Sequence, residues 1–317
     1  MRAPNQLANY RVLVTGASGF LGSHVCRALR ESDADVHAVS RTSHPDVTAS
    51  RWWQSDLTDA VAVRDLLKAV EPELIFHLAG SSNAARDLEF VLPTFRSDLL
   101  TTVNLLTVGT ELGFRRMVLT GSLEEPRAGD PEISPSSPYA AAKWTSGAYA
   151  RMFHRLYGAP IVIVRVFMTY GPGDRRPHKL VPYVIHSLLQ GESPKLTSAQ
   201  RQIDWIYIDD VVAGLLAAAH APDVEGCTID LGSGVLVPIR TVVQQLVTLV
   251  GASVEPLFGA IPERVSEQVC VADTECALTK LGWKPATSLE DGLALTVRWH
   301  REQLAGSPSS STSTPVG

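Results

Sequence analysis

A glycine-rich turn near the start of the chain constrains the fold more than any other stretch. Residues 11–24 read RVLVTGASGFLGSH, a short apolar run followed by three regularly spaced glycines and then by apolar residues at helical spacing. This order predicts a strand, a tight turn and a helix. Gly16 lets the chain reverse, Gly19 lets backbone N–H groups approach a diphosphate, and Gly22 lets the helix pack closely on the strand. The pattern is typical of a dinucleotide-binding turn, although an ordinary strand-to-helix turn can carry the same glycines.

The residues expected to contact a dinucleotide follow the ends of successive strands. The helix N-terminus after the glycine turn offers unpaired N–H groups and a positive dipole end to phosphates. In parallel sheets, ligands gather beyond the carboxyl ends of the strands, which places the candidates on one rim. The predicted cofactor-binding residues are Gly16, Ser18, Gly19, Phe20, Leu21, Arg41, Asp56, Leu57, Leu78, Ala79, Gly80, Tyr139 and Lys143.

The residues after the second predicted strand bear on which dinucleotide is bound. A carboxylate about 20 residues beyond the glycine turn would bond the ribose hydroxyls of NAD(H). Ser40 and Arg41 stand there instead, and a hydroxyl and a guanidinium suit a 2′-phosphate. NADP(H) is therefore favoured. NAD(H) stays open, because the protein would accept either cofactor if Arg41 were only a solvated loop residue. Asp56, after the third strand, is expected either to contact adenine or to cap a helix over residues 58–70.

The rest of the chain alternates apolar strands with helices. This alternation predicts an α/β fold built on a doubly wound parallel sheet. The order becomes less regular past Gly173, which indicates a smaller α/β lobe. We expect a dinucleotide-binding domain over residues 10–170, a substrate-binding lobe over residues 171–303 interleaved with the end of the sheet, and a disordered tail over residues 304–317.

Three polar residues form the candidate catalytic set. Tyr139 and Lys143 lie one turn apart on a helix predicted over residues 138–157, and Ser122 ends the fifth strand. A tyrosine has a pKa near 10 in water, and a neighbouring ammonium is expected to lower it. The three together would polarise a carbonyl or deprotonate a carbinol while a hydride moves to or from a nicotinamide. His77, at the end of the fourth strand, is expected to be a core histidine rather than a catalyst.

Composition excludes several other classes of protein. The net charge is −5 and no basic run indicates nucleic-acid binding. The longest nearly apolar run, residues 211–219, is too short to span a bilayer, and residues 1–10 have no apolar signal core. The four cysteines are scattered without metal-ligand spacing, so they are expected to be buried reduced thiols and no metal site is predicted. A soluble, cytoplasmic protein is expected.

Several stretches resemble a known family. The segments TGASGFLGSH, HLAG, TGS, SPYAAAK, RVFMTYGPG, DWIYIDDVV and ADTECALTKLGWKPATSLEDGL resemble the extended short-chain dehydrogenase/reductases, and more narrowly the NAD-dependent epimerase/dehydratase family of nucleotide-sugar enzymes. The resemblance extends from about residue 10 to residue 303. It implies a Rossmann domain, a nucleotide-sugar substrate and a Ser–Tyr–Lys triad. It also implies a homodimer formed through helices near residues 93–112 and 138–157.

The stretch after the fifth strand bears on the reaction. Residues 121–125, GSLEE, resemble the corresponding stretch of keto-sugar nucleotide 4-reductases, and Glu124 also matches the glutamate that removes a proton in dehydratases. Leu123 breaks the acidic pair of the commonest dehydratases. The resemblance and Arg41 together favour NADPH-dependent reduction of a keto group at C4 of a nucleotide-linked deoxysugar. The alternatives are a nucleotide-sugar epimerase or 4,6-dehydratase with tightly bound NAD(P), and a non-catalytic NADP-binding protein. It also stays open whether Glu124 and Glu125 are simply a pair of solvated loop residues.

Some positions depart from the family pattern. Met168 stands where an asparagine is usual, and Asp98 stands where another asparagine is common. Arg201 and Arg264 are candidates for contact with the diphosphate or base of the substrate. These departures leave the sugar nucleotide open without changing the expected class of substrate.

Overall fold

The computed structural model describes residues 7–42, 49–127, 134–263 and 269–306. Within these ranges the strands are β1 (Arg11–Thr15), β2 (Asp35–Ser40), β3 (Arg51–Gln54), β4 (Leu74–His77), β5 (Arg116–Ser122), β6 (Ile161–Val166), β7 (Met168–Tyr170), β8 (Gln202–Tyr207), β9 (Thr228–Leu231) and β10 (Leu236–Pro238). The helices are α1 (Phe20–Glu31), α2 (Ala60–Val70), α3 (Val91–Thr94), α4 (Thr101–Leu112), α5 (Pro138–Tyr157), α6 (Leu180–Leu189), α7 (Ile208–His220), α8 (Ile239–Val250), α9 (Thr274–Leu281) and α10 (Leu289–Gly306).

A seven-stranded parallel sheet organises the fold. Its strand order is β3-β2-β1-β4-β5-β6-β9, and every neighbouring pair runs parallel. The chain leaves β1 first towards β2 and β3 and then returns to the other side of β1, so the topological switch point lies between β1 and β4. The predicted doubly wound sheet is confirmed, and a ligand site is expected beyond the carboxyl ends of these two strands.

Both faces of the sheet are buried by helices. The central strands are continuous apolar runs, as is typical of parallel strands covered on both sides. On one face Leu13, Ile75 and Leu119 are at most 1% exposed and belong to one cluster with Leu105 of α4 and Ile163 of β6. This packing fixes the strand ends that carry the candidate site.

The helix expected over residues 93–112 is interrupted. A 3₁₀ turn (Leu88–Phe90) precedes α3, and a π-helical segment (Phe95–Leu100) separates α3 from α4. The hydroxyls of Thr101 and Thr102 donate to the carbonyls of Ser97 and Asp98 at 2.8 and 2.6 Å. These side chains compete with the backbone for the carbonyls of the preceding turn, which accounts for the wider segment. Such segments occur frequently at functional sites.

The described residues form two compact units, and each unit is assembled from three stretches of the chain. One comprises the described residues within 1–169, 203–236 and 264–286, and the other comprises the described residues within 170–202, 237–263 and 287–317. The first contains the whole parallel sheet, including β9, together with α7 and α9. In the second, α8 packs against α6 and α10. The expected domain boundary between residues 170 and 171, and the expected interleaving of the lobe with the end of the sheet, stay predictions.

The last helix extends further than the sequence predicts. Helix α10 continues through Gly306, so residues 304–306 are helical and the expectation of a tail beginning at residue 304 was wrong there. The remainder of that expected tail, residues 307–317, lies outside the described residues. In the described ranges, no helix combines the length and apolar character needed to cross a bilayer.

Candidate active site

The glycine turn is built as the spacing predicts. Gly16 has φ +68°, and a Cβ there would lie 2.7 Å from the backbone nitrogen of Ala79 on the neighbouring strand end. A Cβ on Gly22 would lie 2.1 Å from the carbonyl oxygen of Gly16. The expected reason for Gly16, chain reversal, is confirmed. At Gly22 the close approach is between α1 and the turn that follows β1, and packing on the strand itself stays a prediction. Gly19 precedes the first turn of α1, and its place beside a diphosphate stays a prediction.

A cavity of about 670 Å³ opens at the switch point, a size ordinary for a small-molecule site. Nine of the predicted cofactor-binding residues line it: Gly16, Ser18, Gly19, Arg41, Asp56, Leu57, Leu78, Ala79 and Gly80. The lining also includes Arg96 and Ser97, which the sequence did not single out. Phe20 and Leu21 are half-buried at the start of α1 and, like Tyr139 and Lys143, are not among the residues lining this cavity. The bare backbone of the turn and the concave rim fit a dinucleotide.

Arg41 and Asp56 lie close together at this cavity. The backbone and side-chain hydrogen bonds from Thr58 hold the pKa of Asp56 below its usual value, and the Arg41 charge contributes in the same direction. Asp59, not Asp56, caps α2, because its carboxylate accepts from the backbone nitrogen of Val61 at 2.8 Å. The alternative of Asp56 as the helix cap was therefore wrong.

A buried hydrogen-bonded chain joins the ends of β1 and β4 to the π-helical segment. The backbone N–H groups of Leu78 and Ala79 donate to Thr15 Oγ1, each at 3.1 Å. That hydroxyl bonds His77 Nδ1 at 2.7 Å, and His77 Nε2 bonds Thr102 Oγ1 at 2.9 Å. Burial lowers the pKa of His77 to about 3, so the ring is neutral. The geometry agrees with the expectation that this histidine is structural.

The three candidate catalytic residues meet at the end of β5. Ser137 caps α5 by accepting from Ala140 N at 3.1 Å, which places Tyr139 in the first turn. The Tyr139 hydroxyl and the Ser122 side chain are hydrogen-bonded. One turn further, Lys143 is buried and its Nζ donates to the carbonyl of Thr120 at 3.2 Å.

The electrostatics of Tyr139 differ from the expectation. Burial raises the pKa of Tyr139, and the carboxylates of Asp98, Glu125 and Glu124 raise it further, opposed by the hydrogen bond from Ser122. The expected lowering by Lys143 was wrong for the protein alone. Burial and three carboxylates set the direction of the shift, and Lys143, whose Nζ donates to the Thr120 carbonyl, is not among the main groups that act on the phenol. The phenol is therefore protonated at neutral pH in the protein alone.

The two glutamates after Ser122 have different environments. Glu125 is 3% exposed, and its Oε1 accepts from the backbone nitrogen of Ser122 at 2.7 Å. A Cβ on Gly121 would lie 2.4 Å from that oxygen, so the glycine makes room for it. Glu125 thus fixes the end of β5, and the interpretation of both glutamates as a solvated pair was wrong. Glu124 is half-buried, and its catalytic role stays a prediction.

Other candidates lie elsewhere or outside the described residues. Arg201 belongs to the second compact unit and lies just before β8, and Arg264 falls outside the described ranges. Cys26 is buried as expected, and burial raises its pKa to about 12. Cys227, Cys270 and Cys276 are half-buried, so the expectation of buried thiols was wrong for these three. Among the residues with described positions, no cluster of three or more His, Cys, Asp or Glu side chains could hold a metal ion.

The fold and the site together define the class of protein. A doubly wound sheet with a glycine cradle at its switch point, and a Ser–Tyr–Lys set at the next strand end, are the framework of an extended short-chain dehydrogenase/reductase. The model of the NAD dependent epimerase/dehydratase family matches residues 12–232, and the chain belongs to this family.

Comparisons with individual proteins agree over nearly the whole chain. The chain is 30% identical to a UDP-glucose 4-epimerase of Mycolicibacterium smegmatis, over 92% of this chain and 99% of the relative. The solved structure of a UDP-glucose 4-epimerase from Thermotoga maritima with UDP-glucose is similar, with a TM-score of 0.84, 27% identity and coverage of 92% and 99%. The structure of MoeE5 in complex with UDP-glucose and NAD has a TM-score of 0.81, 29% identity and the same coverage.

Proposed function

We propose that this protein reduces the C4 keto group of a nucleotide-linked deoxysugar with NADPH. The observation that carries the proposal is the placement of Tyr139 beside Ser122, with Lys143 one helical turn along α5 and bonded to the end of β5. The neighbouring strand end carries the glycine cradle. A phenol that keeps its proton at neutral pH suits the donor role that ketone reduction requires.

Each residue of the set has a distinct part. A bound nicotinamide dinucleotide would supply the hydride. The Ser122 hydroxyl donates a hydrogen bond to the ketone oxygen and orients it, and Tyr139 donates its proton to the same oxygen as charge develops there. The Lys143 ammonium then stabilises the phenolate that Tyr139 leaves behind. Glu125 keeps this geometry by holding the backbone of Ser122.

The preference for NADPH rests on the rim beyond β2. Ser40 and Arg41 line the cavity, and no carboxylate of the described rim lies immediately after β2 to repel a 2′-phosphate. A guanidinium can make charge-assisted hydrogen bonds to a phosphate, and these are stronger than bonds between neutral groups. NAD(H) is the competing cofactor, and MoeE5 carries NAD in its solved structure.

A 4-epimerase is the second candidate function. The relative that favours it is the UDP-glucose 4-epimerase, at 30% identity over almost its full length. Epimerisation uses the same proton donor and acceptor but oxidises and reduces the sugar within one turnover, so no net cofactor is consumed. A 4,6-dehydratase is less well supported, because Leu123 interrupts the acidic pair. The intact Ser–Tyr–Lys set speaks against a non-catalytic NADP-binding protein.

Two measurements separate these candidates. Mass spectrometry of the native protein identifies any co-purified cofactor, and a spectrophotometric assay follows reduced nicotinamide with 4-keto-6-deoxyhexose nucleotides and with UDP-hexoses. The reductase consumes one NADPH for each keto-sugar reduced. Interconversion of UDP-hexoses at constant absorbance, with near-stoichiometric bound NAD, would instead establish the epimerase.

We also propose that the active protein is a homodimer formed through the region of residues 93–112 and the helix 138–157. Helix α5 packs on the π-helical segment, and both display large apolar side chains to solvent: Phe95 is 47% and Trp144 41% exposed. Contiguous apolar surface of this kind marks an interaction site. Light scattering should give twice the monomer mass, and Trp144→Glu should reduce it to the monomer mass. A monomeric wild type would refute the dimer.

A further inference from the structure

We propose that Asp98 is a positioning residue whose buried carboxylate lies across Gly80 from the Lys143 ammonium, balances its charge at the end of β5 and acts on the Tyr139 phenol. The inference rests on the proposed function only in taking Tyr139 as the proton donor. It adds a third, negatively charged partner to the Tyr–Lys pair, contributed by a different element of the fold.

Asp98 is buried without being fully satisfied. It lies in the π-helical segment and is 1% exposed. Its Oδ2 accepts from the backbone nitrogen of Ser81 at 2.9 Å and from Ser97 Oγ at 2.6 Å. Its Oδ1 has no hydrogen-bond partner among the described residues. An unsatisfied buried carboxylate oxygen is costly, so its retention calls for a compensating charge.

The compensating charge is the ammonium of Lys143, which lies on the other side of Gly80 from Asp98. A Cβ built on Gly80 would lie 2.5 Å from Asp98 Oδ1 and 3.5 Å from Lys143 Nζ, which places the two charged atoms within about 6 Å of each other. Gly80 has φ +148° and contributes no side chain to the space between them. Opposite charges at this separation inside a protein interact appreciably even without direct contact.

The other titratable groups around Asp98 and Lys143 do not replace the Asp98 charge. Lys143 is the charge that acts against burial at Asp98, and it also acts at Glu125. Arg165 and Arg151 offset the Glu125 charge as well, whereas His77 is neutral. Burial raises the pKa of Asp98, while Lys143 and the bonds from Ser97 and Ser81 oppose the rise.

The same carboxylate acts on the phenol. Besides burial, the groups that raise the pKa of Tyr139 are Asp98, Glu125 and Glu124, in that order of effect. Removing the Asp98 charge while keeping its shape therefore favours the phenolate. Asp98→Asn is the matched substitution, since it retains an oxygen that can accept from Ser81 and Ser97.

The test is a titration of Tyr139 by NMR. Protein labelled with ¹³C at the tyrosine ζ carbon is titrated with and without NADP⁺, and the Tyr139 signal is assigned by its loss in Tyr139→Phe. In Asp98→Asn we expect the midpoint to move down by on the order of one pH unit. The exposed-site control Asp65→Asn should leave it within about 0.3 unit. An unchanged or raised midpoint in Asp98→Asn would overturn the proposal.

A second measurement covers the case in which Asp98→Asn does not fold. In the wild type, the ¹³C shift of the Asp98 carboxyl reports directly whether that group is ionised at neutral pH. The proposal requires an ionised carboxylate, and a protonated one would overturn it. Neither titration uses a substrate, so the outcome is independent of whether the reductase or the epimerase assignment survives. In turnover, the pH limb assigned to Tyr139 should move down in Asp98→Asn in parallel with the NMR midpoint.

Discussion

Arg41 provides a quantitative test of the proposed cofactor preference. Arg41→Ala removes the guanidinium at the cavity rim without touching the glycine turn. Hydrogen bonds to charged groups contribute about 1.5–3 kcal/mol. Because Arg41 is exposed, solvent screening favours the lower end, and about 1.5 kcal/mol corresponds to roughly a tenfold change in affinity. NADPH binding should therefore weaken about tenfold, whereas NADH binding, which lacks the 2′-phosphate, should change less than about twofold.

The assay is fluorescence titration of the protein with NADPH and with NADH at fixed ionic strength. Arg64→Ala, an arginine of α2 that does not line the cavity, is the control for a general loss of positive charge. The ratio of the two dissociation constants carries the result, because it cancels any change in folding. Equal losses for both cofactors, or no loss for NADPH, would refute the assignment of Arg41 to the 2′-phosphate.

Two further predictions concern the framework of the site. Gly22→Ala forces a Cβ to within 2.1 Å of the Gly16 carbonyl, so thermal unfolding should show a loss of more than about 2 kcal/mol. Gly147→Ala, where the nearest atom is the flexible end of Arg151 at 3.3 Å, should be neutral or stabilising by up to about 1 kcal/mol. Equal effects of the two substitutions would contradict the packing assignment. His77 has a folded pKa of about 3 against 6.5 in the unfolded chain, so the unfolded state binds the extra proton between these values and stability falls as pH falls below 6.5. Urea unfolding should show that His77 lowers the free energy of unfolding by about 2 kcal/mol at pH 5. A His77→Gln variant with the same pH dependence of stability as the wild type would contradict this.

The sequence predicted the doubly wound parallel sheet and the rim because both depend on local patterns. Apolar runs followed by glycine or small residues mark the ends of β1, β4 and β5, and the topology rule then brings those ends to one edge. The Ser122, Tyr139 and Lys143 set was predicted for the same reason, since one helical turn and one strand end determine its geometry. Nine of the predicted cofactor-binding residues line one cavity. Phe20 and Leu21, at the start of α1, do not line it.

What the sequence did not predict depends on contacts between distant segments. The direction of the Tyr139 pKa shift depends on burial and on Asp98 and Glu125, which come from other elements. The π-helical segment arises from threonine hydroxyls that compete for carbonyls, a choice that apolar periodicity does not report. Asp56 and Asp59 are equally plausible caps in the sequence, and the bond to Val61 decides between them. The short strand β7 and the helix α9 were also not predicted.

The most direct test of the central claim, that Tyr139 is the proton donor, is the comparison of wild type with Tyr139→Phe in turnover and in cofactor binding. We expect kcat to fall by about 10²–10⁴-fold, since general acid catalysis contributes on this scale. The cofactor dissociation constant should stay within about threefold, because most of the predicted cofactor contacts line the cavity at the glycine turn and Tyr139 does not line it. Undiminished turnover of the substrate by the phenylalanine variant would contradict the account.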